Sequence, residues 1–395
     1  MQKPKMLYAS PFNPIKSGIS DYSEILVQAL QEKYDITLLV KDYKITNQEL
    51  INSCDVLRYD QDHIPFETFD YLVYNIGNQP YYHDYIYRCC LEHPGLVILH
   101  EYSLYYLTVG VHSQDRDLLG TVYKQEGAAG IHALRNAIQH EHRNLLECKS
   151  LSSELPLNLE LLQSENKFMV HSDYVRDKIL ATGHVESTSI RKINLVAMTD
   201  EGASYVEKKE LFCKFKVPED ALIISSFGFI DPSKLNHVVC RTVLKLAEEL
   251  NQKICYVMVG KGDYADQYVD GRTIIKTGYT ELEEFNSFIK HSDIVINLRH
   301  PTVGETSAAV ISTLGLGKPC ITSNEGWFAE IPDTCAIKLD NYNLEVMLED
   351  WIRKLIENPF LREEYGKAAM EYIQQYHAPF NVAIEIQKLL EKQYV

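Results

Sequence analysis

The sequence predicts an α/β protein built from two doubly wound parallel-sheet domains. Short apolar runs alternate with stretches of helical spacing along nearly the whole chain, and strands buried on both faces of a parallel sheet read as such runs. The alternation weakens and starts again near residue 220, which marks two crossover-built units and not one long sheet. The length of 395 residues suits two domains, and a hydrophobic content of 45% supplies two cores.

In the first half the expected strands are Met6–Ser10, Ile36–Val40, Tyr71–Ile76, Leu96–Tyr102 and Phe168–Ser172. In the second they are Leu222–Ile230, Ile254–Gly260, Thr273–Gly278, Ile294–Leu298 and Pro319–Ser323. After the first strand, Ser17-Gly18-Ile19-Ser20-Asp21 opens a helix. Asp21 reads as its N-cap, Glu24 as the capping-box partner, and Ile25, Leu26, Ala29 and Leu30 as the buried face. From about 108 to 166 the chain shows helical spacing and many charges but no strand, so a helical insertion is expected there. The domains are expected at 1–200 and 205–376, linked near Ala197–Val217 through the polar Met198-Thr199-Asp200-Glu201-Gly202. Residues 377–395 are expected to form a terminal helix crossing back to the first domain. Its apolar stripe, Val382, Ile386, Leu389 and Leu390, needs a surface to cover.

The net charge of −16 argues against nucleic acid as a partner, because phosphate-binding surfaces cluster positive charge. It also removes simple electrostatic docking to an anionic membrane, while leaving room for a local basic patch. No charged-then-apolar leader opens the sequence, and no apolar run approaches ~18 residues. Nine scattered cysteines without a Cys-x-x-Cys pair suggest reduced thiols in a cytoplasmic protein.

The most informative stretch is Pro301-Thr302-Val303-Gly304-Glu305-Thr306-Ser307, between the apolar run Ile294–Leu298 and an Ala-rich helix. It reads as strand, tight turn and helix start. Such a turn can hold a phosphate on the first free amides of the helix and a sugar hydroxyl on the carboxylate. Gly18 would let the backbone approach a ligand, or it belongs to an ordinary βα turn. His100-Glu101-Tyr102 ends an apolar strand, where ligands of open α/β sheets bind; His171 ends another. Gly228-Phe229-Ile230-Asp231-Pro232-Ser233-Lys234 places Lys234 after a strand, either as a cation for a diphosphate or as a solvated turn residue.

Gly260-Lys261-Gly262-Asp263-Tyr264-Ala265 formally matches a dinucleotide fingerprint, but it follows the second strand of its domain and not the first. Asp60-Gln61-Asp62 and Asp115-Arg116-Asp117 read as loops more than metal ligands. His140-Glu141-His142 lacks the second histidine at helical spacing that a zinc helix requires. No Gly-x-Ser-x-Gly elbow and no P-loop occurs.

Together these motifs resemble those of the family-4 retaining glycosyltransferases of the GT-B fold, over most of the chain. The resemblance rests on Ser10–Ile19, on His100, on Gly228 with Lys234, and above all on Asn297-Leu298-Arg299, Pro301-Thr302, Gly304–Ser307, Gly317-Lys318-Pro319 and Gly326–Glu330. The last block is similar to a bacterial surface-polysaccharide branch. The resemblance implies two Rossmann-like domains facing a cleft, a UDP-sugar donor with UDP-glucose among the candidates, and no metal or other cofactor. It implies a saccharide or lipid-linked acceptor and a cytoplasmic enzyme with peripheral contact at the inner face of a membrane within reach.

By the same resemblance Glu305 holds sugar hydroxyls, and the amides of Thr306 and Ser307, turned by Gly304, meet the diphosphate. Lys234 binds phosphate beside Gly228. Ser17 and Gly18 close over the phosphates, and His100 faces the sugar near the reacting carbon. Gly278-Tyr279-Thr280 holds the base. Two departures stand out. Phe229 occupies the place of the family's arginine, five residues before the lysine. Ser312 aligns with the second glutamate of the family motif, which leaves Glu305 one place off register and Glu330 as a substitute for ribose binding. Two other readings remain open: a nucleotide-sugar epimerase of the same fold, and a degenerate non-catalytic partner of another transferase.

Overall fold

The computed structural model describes residues 3–140, 144–197, 204–250 and 252–393. Its strands form two parallel sheets. The first holds β1 (Lys5–Ala9), β2 (Asp35–Val40), β3 (Asp55–Arg58), β4 (Tyr71–Ile76), β5 (Leu96–Leu99), β6 (Lys167–Val170) and β7 (Ile190–Lys192), in the order β3-β2-β1-β4-β5-β6-β7. The second holds β8 (Leu222–Phe227), β9 (Ile254–Val259), β10 (Ile274–Lys276), β11 (Ile294–Asn297), β12 (Cys320–Ser323) and β13 (Ile337–Leu339), in the order β10-β9-β8-β11-β12-β13. In both sheets the winding reverses, between β1 and β4 and between β8 and β11. Loops diverge at such a switch point and leave a crevice at the carboxyl ends of the strands.

The central strands are the apolar runs expected; every residue of β8 and β9 is buried. Three strands were not anticipated. β3, β7 and β13 are all edge strands, and each is short and charged, as in Ile190-Arg191-Lys192. An edge strand lacks a neighbour on one side and carries charge that discourages pairing, so it has no continuous apolar signal. β5 ends at Leu99, which makes His100 the first residue beyond it.

The chain divides into two compact units: residues 1–196, 303–306 and 379–395, and residues 197–302 and 307–378. The first has a core around Leu7, Ala9, Ile76, Val97, Leu99 and Val170. Between β5 and β6 it carries the helices Tyr105–Gln114, Leu118–His140, Lys149–Glu154 and Leu159–Leu162. These helices close a small core of their own around Tyr105, Val109, Val122, Leu134 and Leu157. The second unit is built on Ile224, Tyr256, Met258, Ile296 and Ile321. The expected linker residues Met198–Gly202 lie outside the described residues, as does the Glu141-His142 pair. The rest of that supposedly polar stretch contains a helix, Lys208–Phe215, which buries Leu211 and Phe212.

One capping assignment is corrected. The helix Gly18–Leu30 is capped by Ser17, whose Oγ accepts from the amide of Ser20 at 3.1 Å. Asp21 and Glu24 instead hold the loop after β1. Asp21 accepts from Asn13 Nδ2 at 3.2 Å, and Glu24 accepts from the Asn13 amide at 3.0 Å. A hydroxyl satisfies the open amide four residues earlier, which frees the carboxylates for the loop.

All nine cysteines are free. No helix among the described residues is long and apolar enough to cross a membrane. The terminal helix Pro379–Gln393 packs on Gly18–Leu30 and buries Val382, Ile386, Leu389 and Leu390. Ile386→Ala is therefore expected to cost about 2–5 kcal/mol. Lys388→Ala on the outer face should stay within about 0.5 kcal/mol. Urea unfolding of the two variants checks this; equal midpoints would show that the stripe contributes no packing.

Candidate functional site

At the carboxyl end of the first sheet, Ser17 and Gly18 stand at the start of the helix after β1. A Cβ at Gly18 would meet no atom within 4 Å, so open space and not a crowded backbone lies beside it. His100, just past β5, is half-buried. Its Nε2 lies 3.1 Å from Asn75 Oδ1, Tyr22 meets its ring edge-on at 4.9 Å, and the ring of His171 is 5.0 Å away. Burial, with His171 and His83 nearby, holds the imidazole well below the usual histidine pKa. His100 is therefore neutral at pH 7. His171 is buried, with Nδ1 3.0 Å from the carbonyl of Ile193. His83, on the helix Pro80–Glu92, is also buried. Burial disfavours charge on His83 and His100, so with His171 beside them this strand end is a poor anion site but one suited to hydroxyl groups.

The second sheet presents the opposite chemistry. Beyond β8 the chain turns at Gly228 (φ +92), and Lys234 folds back to donate to the carbonyl of Phe227. A Cβ at Gly228 would lie 2.6 Å from Lys234 Nζ, so the ammonium occupies room that only glycine leaves. Asp231 Oδ1 accepts from the Ser233 amide and hydroxyl at 2.9 and 2.6 Å. Arg299, two residues beyond β11, donates through Nη1 to Ser233 Oγ at 2.6 Å, and the His300 amide donates to the Ser233 carbonyl at 2.8 Å. Ser233 thus clasps the β8 loop to the β11 loop and brings two cations to the switch point. Underneath, Asn236 donates to Ser226 Oγ at 3.1 Å and to Tyr256 Oη at 2.9 Å, which anchors the start of the next helix.

The connection from β11 to the helix Ala308–Gly315 is longer than the tight turn expected. It runs from Leu298 to Ser307. Gly304 has φ +87, and the Glu305 carboxylate accepts from the Val303 amide at 2.9 Å. Ser307 is the N-cap, its Oγ accepting from the Val310 amide at 3.3 Å. Residues 303–306, with Gly304, Glu305 and Thr306, group with the first unit; Ser307 groups with the second. Ser312 is buried within that helix. Gly278, Tyr279 and Thr280 follow β10. Tyr279 is half-exposed, with Lys261 Nζ 5.2 Å from the centre of its ring.

Two residues escaped sequence reasoning. Arg299 lay inside a quoted motif without a role; its signal was a cation two residues beyond a central strand. Asn75 ends an apolar strand and gave no signal beyond being polar there. The glycine fingerprint at Gly260 and Gly262 has a packing explanation. A Cβ at Gly260 would lie 2.0 Å from the Gly228 carbonyl oxygen, so these glycines let two loops touch. Among the described residues no group of three or more His, Cys, Asp or Glu could hold a metal ion.

No family model and no curated protein matches the sequence. Solved structures do. A sucrose-phosphate synthase from Thermosynechococcus elongatus superposes with TM-score 0.64 at 14% identity, over 100% of this chain and 99% of that one. HepE from Anabaena, solved with UDP and glucose, gives 0.64 at 11% identity, over 98% and 100%. WaaG, a glycosyltransferase involved in lipopolysaccharide biosynthesis, gives 0.60 at 11% identity, over 96% and 98%. At such identities the likeness shows the fold: two Rossmann-like domains of the GT-B kind.

The buried histidines give a pH prediction. Burial lowers the pKa of His83 to about 4, below the unfolded value near 6.5. Below that unfolded value the unfolded chain takes up a proton that the folded state refuses. Stability should therefore fall as pH drops from about 6.5 to about 4, by roughly 3 kcal/mol from this group. Urea unfolding at several pH values should show the slope, and His83→Gln should flatten it. A wild-type profile flat across that window would contradict a neutral buried His83.

Proposed function

We propose that the protein is a glycosyltransferase that moves a sugar, with retention, from a UDP-sugar such as UDP-glucose to a saccharide or lipid-linked acceptor in polysaccharide biosynthesis. The observation that carries this reading is the pairing of Lys234 and Arg299 through Ser233 at the β8/β11 switch point, beside a capped helix start. Two cations with helix amides suit a diphosphate. The neighbours of this fold include a glycosyltransferase and a protein solved with UDP and glucose, which supports the same assignment.

In this mechanism the bond that breaks joins the sugar's anomeric carbon to a diphosphate oxygen. Negative charge grows on that oxygen, and preplaced donors stabilise it most as the transition state forms. Lys234 and Arg299 supply fixed positive charge, and the amides at Thr306 and Ser307 supply dipoles. Arg299 fills the role left open by Phe229, which is exposed. Glu305 is assigned to sugar hydroxyls, His100 to the sugar as a neutral partner, and Tyr279 to the base. The leaving diphosphate takes the acceptor's proton, so neither a metal nor a strong base is required.

Glu305→Ala is expected to lower turnover of the preferred donor by roughly ten- to a hundredfold, from loss of a charged hydrogen bond of about 1.5–3 kcal/mol. Near-normal turnover would remove Glu305 from the site. Arg299→Met should weaken UDP at least tenfold in calorimetry while leaving uridine unchanged. Equal loss for both would make Arg299 a loop brace. Donor hydrolysis should persist in a strong chelator; abolition reversed by manganese or magnesium would refute the metal-free mechanism.

A further inference from the structure

We propose that Asn75 fixes the tautomer of His100, so that the ring keeps its proton on Nε2 and offers Nδ1 as a hydrogen-bond acceptor to a sugar hydroxyl. The hydroxyl partner rests on the glycosyltransferase reading; the tautomer does not.

Asn75 is fully buried near the end of β4. A side-chain amide has one donating and one accepting end. Asn75 Nδ2 donates to the Ala9 carbonyl of β1 at 3.4 Å. A carbonyl only accepts, so the amide cannot be turned round. Its Oδ1 then faces His100 Nε2 at 3.1 Å. An amide oxygen also only accepts, so Nε2 carries the hydrogen. A neutral imidazole has one N–H, which leaves Nδ1 with a bare lone pair.

The groups around the ring favour the neutral form. Tyr22 comes from the helix Gly18–Leu30, His171 from the end of β6, and His83 from the helix Pro80–Glu92. None of these is a carboxylate. Among the described residues no group hydrogen-bonds Nδ1, and His100 keeps part of its surface open.

The consequence is chemical selection. Nδ1 accepts from a hydroxyl and repels a carboxylate, so His100 discriminates against a sugar that places an acidic group there. Asn75 touches no ligand in this scheme. It is a positioning residue, joining β1, β4 and β5 at the switch point.

The first test uses the intact, ¹⁵N-labelled protein and two-bond ¹H–¹⁵N correlation at neutral pH, with His100→Gln to assign the signals. The expected pattern is protonated Nε2 and bare Nδ1. Protonated Nδ1, or a charged ring at pH 7, overturns the proposal whether or not the protein transfers sugars. The second test is Asn75→Asp, whose carboxylate stabilises the imidazolium and raises the pKa of His100. UDP-glucose hydrolysis by this variant should fall at least tenfold at pH below the new pKa and recover above it, while the wild type shows no such step near neutrality. A variant profile that overlays the wild type overturns the positioning role. If the wild type does not turn over UDP-glucose, the donor assignment fails and the spectrum still decides the tautomer.

Discussion

An ammonium can sit on a strand-end carbonyl only where the backbone leaves room, and at β8 that room is the missing side chain of Gly228. Much of the second unit's chemistry depends on this contact. Because Lys234 turns inward to the Phe227 carbonyl, its charge stays at the switch point and does not follow solvent. Gly260 lets the β9 loop pack on the same turn, with the Gly228 amide donating to the Val259 carbonyl at 3.0 Å. Ser233, held by Asp231, then brings Arg299 in from the β11 loop. Leu235, with φ +52, links this turn to the next helix in a conformation that costs a non-glycine residue about 1 kcal/mol. Local strain of this size persists only where surrounding contacts over-determine the backbone. Here those contacts are the clasp at Ser233 and the Asn236 network.

The two units share the order of their first six strands and differ in what they place at the strand ends. At the first, His83 and His171 are buried, His100 is half-buried and Asn75 is an amide; at the second, Lys234 and Arg299 are charged. The difference follows from desolvation. A histidine gives up its proton when buried and remains a useful polar group, whereas an arginine keeps its charge and needs polar partners. The first arrangement suits uncharged hydroxyl groups and the second suits an anion.

The sequence made the doubly wound class and the central strands legible because interior strands must be apolar along their whole length. It hid β3, β7 and β13, since an edge strand is defined by the neighbour it lacks. The stretches around Ser17, His100, Lys234 and Glu305 were legible as strand-to-helix connections, because polar residues there interrupt otherwise apolar runs. Their partners were not. Nothing local to Asn75 says that its amide will meet a ring 25 residues on, and nothing local to Arg299 says that it will reach Ser233, 66 residues earlier. Capping failed for a related reason: Ser17 and Asp21 both qualify as caps by composition. The choice was made by Asn13, which engages the carboxylate from the loop after β1.

The net charge of −16 and a proposed anionic donor are reconciled by distance. At physiological ionic strength charges are screened within about 8 Å, so a bound diphosphate senses mainly the nearest groups. Many of the surface charges are paired with one another. The helices Asn236–Glu249 and Leu344–Glu357 are laced by pairs such as Lys245 with Glu349 and Arg353 with Glu249. Exposed pairs of this kind add little stability but keep those cations occupied at the surface. Lys234 and Arg299 are placed by other contacts, Lys234 donating to the Phe227 carbonyl and Arg299 to the Ser233 hydroxyl.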